Sequence, residues 1–175
     1  MTYRVRLAEA ADVPLLAPLE RAAAARFATI GLGAIARGRP TDEAEYRAAI
    51  AAGRLWVVER EGGPVAGLAI GERLDGEGYL AEICVHPDHA GRRLAARMIA
   101  AVEAWAAALG CRRLTLTTFR DVPWNRPYYE RLGFKPLDEA AAGPELRAVR
   151  AKEKARGVDS HGARLCMVKT IGKGA

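Results

Sequence analysis

The sequence contains no run of apolar residues approaching the ~18 that a membrane-spanning helix needs. Even its alanine-rich stretch, residues 21–27, is broken by Arg21 and Arg26, so a helical membrane span is excluded. The opening residues MTYRVRLAEAAD place charge at Arg4, Arg6, Glu9 and Asp12, where a secretory signal needs an unbroken apolar stretch of roughly 7 to 15 residues. A cytoplasmic protein is expected. Cysteine is scarce: Cys84, Cys111 and Cys166 are odd in number and form neither a C-x-x-C pair nor a zinc pattern with His86 or His89. They are read as reduced, structural thiols, with no metal site expected. Internal repeats, low-complexity linkers and Pro/Gly-rich hinges are also lacking, so one domain over residues 1–175 is expected.

What is present describes a folded chain, with 50% hydrophobic and 27% charged residues, far from the composition of disordered sequences. Lys and Arg number 27 against 21 Asp and Glu, for a net charge of +6. The excess lies mostly in residues 145–175, which hold eight basic and three acidic side chains. A basic tail can attract nucleic acid, but Glu153 and Asp159 interleave with the cations, so a solvated helix face is expected instead.

Tyr3 to Leu7 alternates as YRVRL, the period of a strand. Asp12 stands where an N-cap is expected, before Val13, Leu16, Leu19 and Ala23 on one helical face, and that helix is predicted to fray near Phe27. Residues 29–40 read as a loop, and Thr41 as the N-cap of a second helix that Gly53 closes. Strand-forming residues follow at 54–59, 65–74 and 79–85, with turns short enough to favour an antiparallel meander. Leu94, Met98, Val102, Trp105 and Leu109 form one stripe of a long helix ended by Gly110. A strand at 113–118 is then joined through a parallel crossover. It precedes a short helix at 126–132, a strand at 134–137, a basic helix at about 145–156 and a last strand at 164–170.

The most informative junction runs from Val85 through His86, Pro87 and Gly91 into a helix whose start carries Arg92, Arg93 and Arg97. Helix N-termini present unpaired N–H groups and the positive end of the peptide dipoles, so anions bind there readily. Gly91 and Ala95 let a phosphate approach the backbone, and the arginines add charge-assisted bonds; the bland reading makes those arginines the wet face of the helix. A second segment, residues 124–134, puts Asn125 and Tyr129 one helical turn apart on the same face.

Together the two segments resemble the GNAT superfamily of acetyl-CoA-dependent N-acetyltransferases. That family's Q/R-x-x-G-x-G/A pattern falls on Ala90, Gly91, Arg92, Arg93, Leu94 and Ala95, with Ala90 in place of the usual Gln or Arg and Arg93 in place of the usual Gly. Arg93 thus has two readings, crowding the phosphate or binding it. The family's N-x-x-x-Y-x-x-x-G-F pattern is complete in Asn125, Tyr129, Gly133 and Phe134. The order of elements resembles the superfamily over nearly the whole chain. The resemblance implies an α/β (α+β) fold: a mixed sheet of about six or seven strands, antiparallel in its N-terminal half, with a parallel pair where it splays and helices on both faces.

It also implies a reaction, in which an amine of a small molecule or peptide attacks the thioester of acetyl-CoA in a ternary complex. A backbone N–H at Val85 polarises the carbonyl, pantetheine pairs with the strand from Ile83 to Val85, and residues 90–95 cradle the pyrophosphate. Tyr129 maps to the general acid, and Asn125 to a position that bonds the pantetheine arm or a water. Core packing and helix capping are their respective structural readings. Glu82 is the first candidate for general base, sharing the role with Asp121, His86 and solvent. In the GNAT-like arrangement the 29–40 loop overhangs the acceptor, with Phe27 and Ile30 as candidate contacts. His86 and His89 in HPDH are read as surface residues rather than metal ligands. Gly31, Gly33 and Ala36 match G-x-G-x-x-G/A, but a helix precedes them instead of the strand a dinucleotide site needs. The rival class is a non-catalytic module that holds an acyl-CoA or uses its basic region on a partner. A homodimer is the commonest assembly for such a domain.

Overall fold

A computed structural model describes residues Thr2–Gly172. Seven strands, β1 (Tyr3–Leu7), β2 (Leu55–Arg60), β3 (Val65–Leu74), β4 (Glu77–Val85), β5 (Arg113–Phe119), β6 (Lys135–Leu137) and β7 (Arg164–Thr170), form one mixed sheet in the order β1-β2-β3-β4-β5-β7-β6; β4 and β5 are parallel and the other neighbours antiparallel. The chain divides into two compact units, residues 1–71 with 82–102, and residues 72–81 with 103–175.

The first unit opens with β1 (Tyr3–Leu7), which pairs with β2 (Leu55–Arg60), itself paired with β3 (Val65–Leu74). Leu55 to Val58 are all buried rather than alternately so, which means that β2 is covered on both faces. Between β1 and β2 lie α1 (Val13–Ala24), α2 (Gly33–Ala36) and α3 (Glu43–Ala51). The predicted helix to Phe27 stops at Ala24 and continues as a 3-10 segment, Ala25–Ile30; the expected loop thus contains both the end of that segment and α2. Asp12 holds the N-cap position of α1 without capping it. Its carboxylate instead accepts the Glu9 N–H at 2.8 Å and a forked pair of bonds from Arg6 at 2.7 and 3.0 Å, which hold its pKa below the usual carboxylate range. Thr41 is not the cap of α3. Asp42 takes that position, and the Thr41 N–H donates to Glu20 at 2.8 Å. The long helix α4 (Leu94–Ala108) buries Leu94, Met98 and Val102 as its stripe predicts, but Leu109 at its end is 45% exposed.

The second unit holds β5 (Arg113–Phe119), α5 (Arg126–Arg131), β6 (Lys135–Leu137), α6 (Pro144–Ala155) and β7 (Arg164–Thr170). Gly78 and Tyr79 of β4 (Glu77–Val85) stand opposite Leu114 and Thr115 of β5 in the parallel pair. Tyr79, Leu146 and Cys166 pack with Leu137 and Val149 beneath α6. The basic helix is only partly the solvated face expected of it, because Arg150 is buried while Arg147, Lys152 and Arg156 are exposed. Cys84, Cys111 and Cys166 are free thiols, and burial pushes Cys166 up to about 11.

The turn between β3 and β4 uses Asp75 and Gly76, both left-handed (φ 55° and 76°), as a tight two-residue hairpin turn demands. Its Asp75 carboxylate accepts the N–H groups of Glu145 and Leu146 at 2.9 and 3.0 Å, and Glu145 accepts the Asp75 N–H in return. This is a reciprocal cap on α6 assembled from residues 70 apart in sequence. Gly143 lets the turn approach so closely that a Cβ there would lie 2.1 Å from Asp75 Cγ. Asp75→Ala is expected to lower the unfolding free energy by about 0.5–2 kcal/mol, the range for a lost N-cap. Urea unfolding monitored by circular dichroism checks this; an unchanged midpoint would show that solvent replaces the cap.

Among the described residues no helix is long and apolar enough to cross a membrane.

Candidate active site

In the first unit the candidate anion-binding junction is built by chain direction. β4 ends at Val85, the His86 N–H donates to Ala66 O at 2.8 Å, and Pro87–His89 make one 3-10 turn. Gly91 follows at φ 75°, a conformation that suits glycine, and a Cβ there would meet nothing within 4 Å, so open space lies beside its backbone. Arg92 donates to the carbonyls of Asp88 and Ala90 at 3.0 and 3.2 Å, bracing the turn. Arg93 is also left-handed (φ 56°), a strained state for a side chain with a Cβ. The helix begins only at Leu94, so Arg92 and Arg93 stand in the turn before α4 rather than within its first turn. Leu94 is buried and anchors the turn, and Ala95 is half-buried.

Glu82 and Ile83, expected in separate roles, are bonded to each other: the Ile83 N–H donates to Glu82 Oε1 at 3.0 Å. Burial pushes the Cys84 thiol well up, and the charges of Glu82 and Glu20 add to the effect. Glu20 is buried on α1, where its carboxylate accepts the Tyr46 hydroxyl and the Thr41 N–H, each at 2.8 Å. That clamp fixes the end of the segment carrying Phe27, half-buried, and Ile30, 40% exposed. Burial and the bond to Glu20 raise the Tyr46 hydroxyl pKa.

His89 is half-buried and hydrogen-bonded. Its Nδ1 lies 2.7 Å from the Tyr3 hydroxyl, while His86 Nδ1 accepts the Asp88 N–H at 3.3 Å. Among the described residues no group of three or more His, Cys, Asp or Glu side chains is arranged to hold a metal ion.

In the second unit Asn125 occupies the N-cap position of α5 without capping it through its side chain. Its Nδ2 instead donates to Thr118 Oγ1 on β5 at 2.9 Å, while its carbonyl accepts the N–H groups of Tyr128 and Tyr129. Asn125 and Tyr129 are thereby fixed one turn apart. The Tyr129 ring is half-buried, edge-on to Tyr128 at 5.7 Å and to Phe134 at 5.8 Å. Its carbonyl accepts the Phe134 N–H at 3.1 Å, closing the turn through Gly133.

The sequence profile of the Acetyltransferase (GNAT) family matches residues 25–134. The chain belongs to the GNAT acetyltransferase family. The match takes in both the Gly91 turn and the Asn125–Tyr129 turn, and the seven-stranded mixed sheet agrees with the GNAT fold. Among solved structures the GNAT chain is similar to N-acetylglutamate synthase from Neisseria gonorrhoeae, complexed with coenzyme A and N-acetyl-glutamate, at 20% identity and TM-score 0.71 over 98% of this chain. It spans 36% of that longer chain. It is similar also to PaiA N-acetyltransferase from Thermoplasma acidophilum in complex with coenzyme A (12% identity, TM-score 0.65, 97% of this chain and 99% of that one). A third is the ribosomal-protein-S18-alanine N-acetyltransferase of Escherichia coli (16%, 0.65, 99% and 97%). At these identities the likeness is one of fold.

Sequence reasoning missed the support around these GNAT elements. Tyr3, Glu20 and Tyr46 sit in segments with no local signal of function, and their partners lie 86, 21 and 26 residues away. Arg97 was grouped with the helix-start cations, yet it donates to the Tyr3 carbonyl at 2.7 Å.

Proposed function

We propose that the chain is an N-acetyltransferase moving the acetyl group of acetyl-CoA to a primary amine of a small molecule or peptide. The observation that supports this most is the turn after Pro87, where Gly91 at φ 75° leaves its backbone open beside Arg92 and Arg93. A diphosphate needs that combination of reachable N–H groups and cations. Ala90, Leu94 and Ala95 complete the turn, and the strand from Ile83 to Val85 takes the pantetheine arm.

In the reaction the amine nitrogen forms a bond to the thioester carbon, the C–S bond breaks, and the sulfur leaves as thiolate. Val85 N–H supports the developing oxyanion. Glu82 accepts the proton that the attacking nitrogen must lose, and Tyr129 supplies one to the sulfur. Asn125, tied to Thr118 on β5, holds the start of the Tyr129 turn. The acetyl group and both protons are accounted for without a metal ion.

Acetyl-CoA at about 100 times its Kd is expected to add about 2.7 kcal/mol to stability, read as a rise in Tm. A screen of amines with detection of free thiol is expected to find turnover. No thermal shift with any acyl-CoA would end the proposal. A shift without turnover of any amine would leave a binding module that holds acyl-CoA.

A further inference from the structure

Several arginines of this chain are held by carboxylates: Arg6, Arg47, Arg113, Arg126 and Arg164 each have one within 3.3 Å. A group in the first unit differs, and it gathers on Tyr3. In the β1–β2 ladder Tyr3 stands directly opposite Arg60, so the two side chains share one face of the sheet with their Cβ atoms about 5 Å apart. Arg97 of α4 donates from Nη2 to the Tyr3 carbonyl at 2.7 Å. The buried Tyr3 ring stands edge-on to His89, with centroids 5.7 Å apart, and its hydroxyl lies 2.7 Å from His89 Nδ1. Arg60 lies against Gly63 and Arg97 donates to a backbone carbonyl; among the described residues neither has a carboxylate partner. The nearby acids do not neutralise the group: Glu59 is taken by Arg6, and the Asp88 side chain is 82% exposed beside His86.

Independent support comes from His89 itself. Its pKa is lowered first by burial and then by the charges of His86, Arg92 and Arg60, opposed only by Asp88. The imidazole therefore stands in a net positive field created by groups on β2 and the junction, a field that an anion would relieve.

We propose that Arg60, Arg97 and His89, assembled around Tyr3, form an anion subsite beside the Gly91 turn that takes a phosphate monoester dianion. The dianion has two possible sources, the 3′-phosphate of coenzyme A or a separate phosphorylated ligand. The first source rests on the acyltransferase reading above; the second does not. The Tyr3 hydroxyl bond and the edge contact with His86 keep His89 oriented, and the two guanidinium groups supply forked donors suited to phosphate oxygens.

The test uses the full chain, wild type and Arg60→Gln, a change that removes no hydrogen bond or ion pair among the described residues. Calorimetry compares coenzyme A with 3′-dephospho-coenzyme A, and NMR follows the His89 imidazole through pH with and without millimolar inorganic phosphate. Expected is a roughly tenfold preference for coenzyme A, the worth of one charge-assisted contact, that falls towards one in Arg60→Gln. An upward displacement of the His89 titration by phosphate is expected in the wild type and is reduced in the variant. Equal binding of the two coenzymes with the His89 displacement intact assigns the subsite to a separate phosphorylated ligand. Equal binding with His89 unmoved by phosphate overturns the subsite and leaves the acyltransferase reading standing. Failure of any coenzyme to bind overturns the acyltransferase reading, while the phosphate arm still decides the subsite.

Discussion

Tyr129→Phe is expected to lower kcat about 100-fold while leaving the Kd for coenzyme A within about twofold. The lower figure of the range for general acid–base catalysis applies because solvent replaces part of the lost proton delivery. In the proposed reaction the phenol hands its proton to the departing sulfur, so the hydroxyl is expected to matter only as the C–S bond breaks. The ring is retained, and with it the edge contacts to Tyr128 and Phe134 that hold the turn, so the fold is expected to survive. The defect is expected to shrink with an acetyl thioester whose thiol is more acidic, because such a sulfur leaves without a proton. Steady-state kinetics with both donors checks this. Unchanged turnover returns Tyr129 to packing, and a defect that ignores the leaving group assigns the loss to positioning.

How much of this was legible in the sequence follows the range of the interactions involved. β1 at Tyr3–Leu7, β7 at Arg164–Thr170 and the buried stripe of α4 were readable because alternation and the four-residue step are local consequences of backbone geometry. The Asn125–Tyr129 spacing was readable for the same reason. Capping was less legible. Asp12, Thr41 and Asn125 are residue types that favour caps, yet each answers to a partner outside the helix it precedes: Arg6 on β1, Glu20 on α1 and Thr118 on β5. Propensity records what a side chain does when no such partner exists, and a charged or buried partner outbids the helix end. Within the expected loop 29–40, residues 29–30 and 33–36 turned helical although the glycines there suggested otherwise, since short helices are decided by tertiary contact more than by propensity. At the Gly91 turn the sequence pattern singled out a glycine that proves to have open space beside its backbone. The left-handed backbone of Arg93, where glycine is favoured, is a property that only the folded chain displays.

The second large effect belongs to Arg150. Its side chain is 1% exposed, yet it carries a full charge and is matched by the Asp159 carboxylate at 2.7 and 3.1 Å and by Glu153. Glu153 is shared with Arg164 at 2.9 Å, and Arg164 reaches Thr117 on β5, so α6, β5, β7 and the 3-10 turn Val158–His161 close on one neutral network. Arg150 alone is sealed from water, whereas water reaches the Asp159 side chain, 32% exposed, and Glu153, so removing the cation leaves two partly solvated carboxylates and Arg150→Met is expected to cost about 2–3 kcal/mol, seen as a lower urea midpoint at neutral pH. Pairing Arg150→Met with Asp159→Leu is expected to recover much of that loss, because one unpaired carboxylate is then gone. The acid side of the stability profile gives an independent reading. The bond from Arg150 holds the Asp159 carboxyl below the usual range, so near its folded pKa the unfolded chain binds more protons than the native one. That contribution is present above the unfolded value of ~3.9 and is lost as pH falls through the folded one. Arg150→Met is therefore expected to flatten the decline on acidification, while the share due to Asp12, held low by Arg6, stays. A variant as stable as the wild type, with the same acid limb, would show that Arg150 fills space rather than neutralising charge.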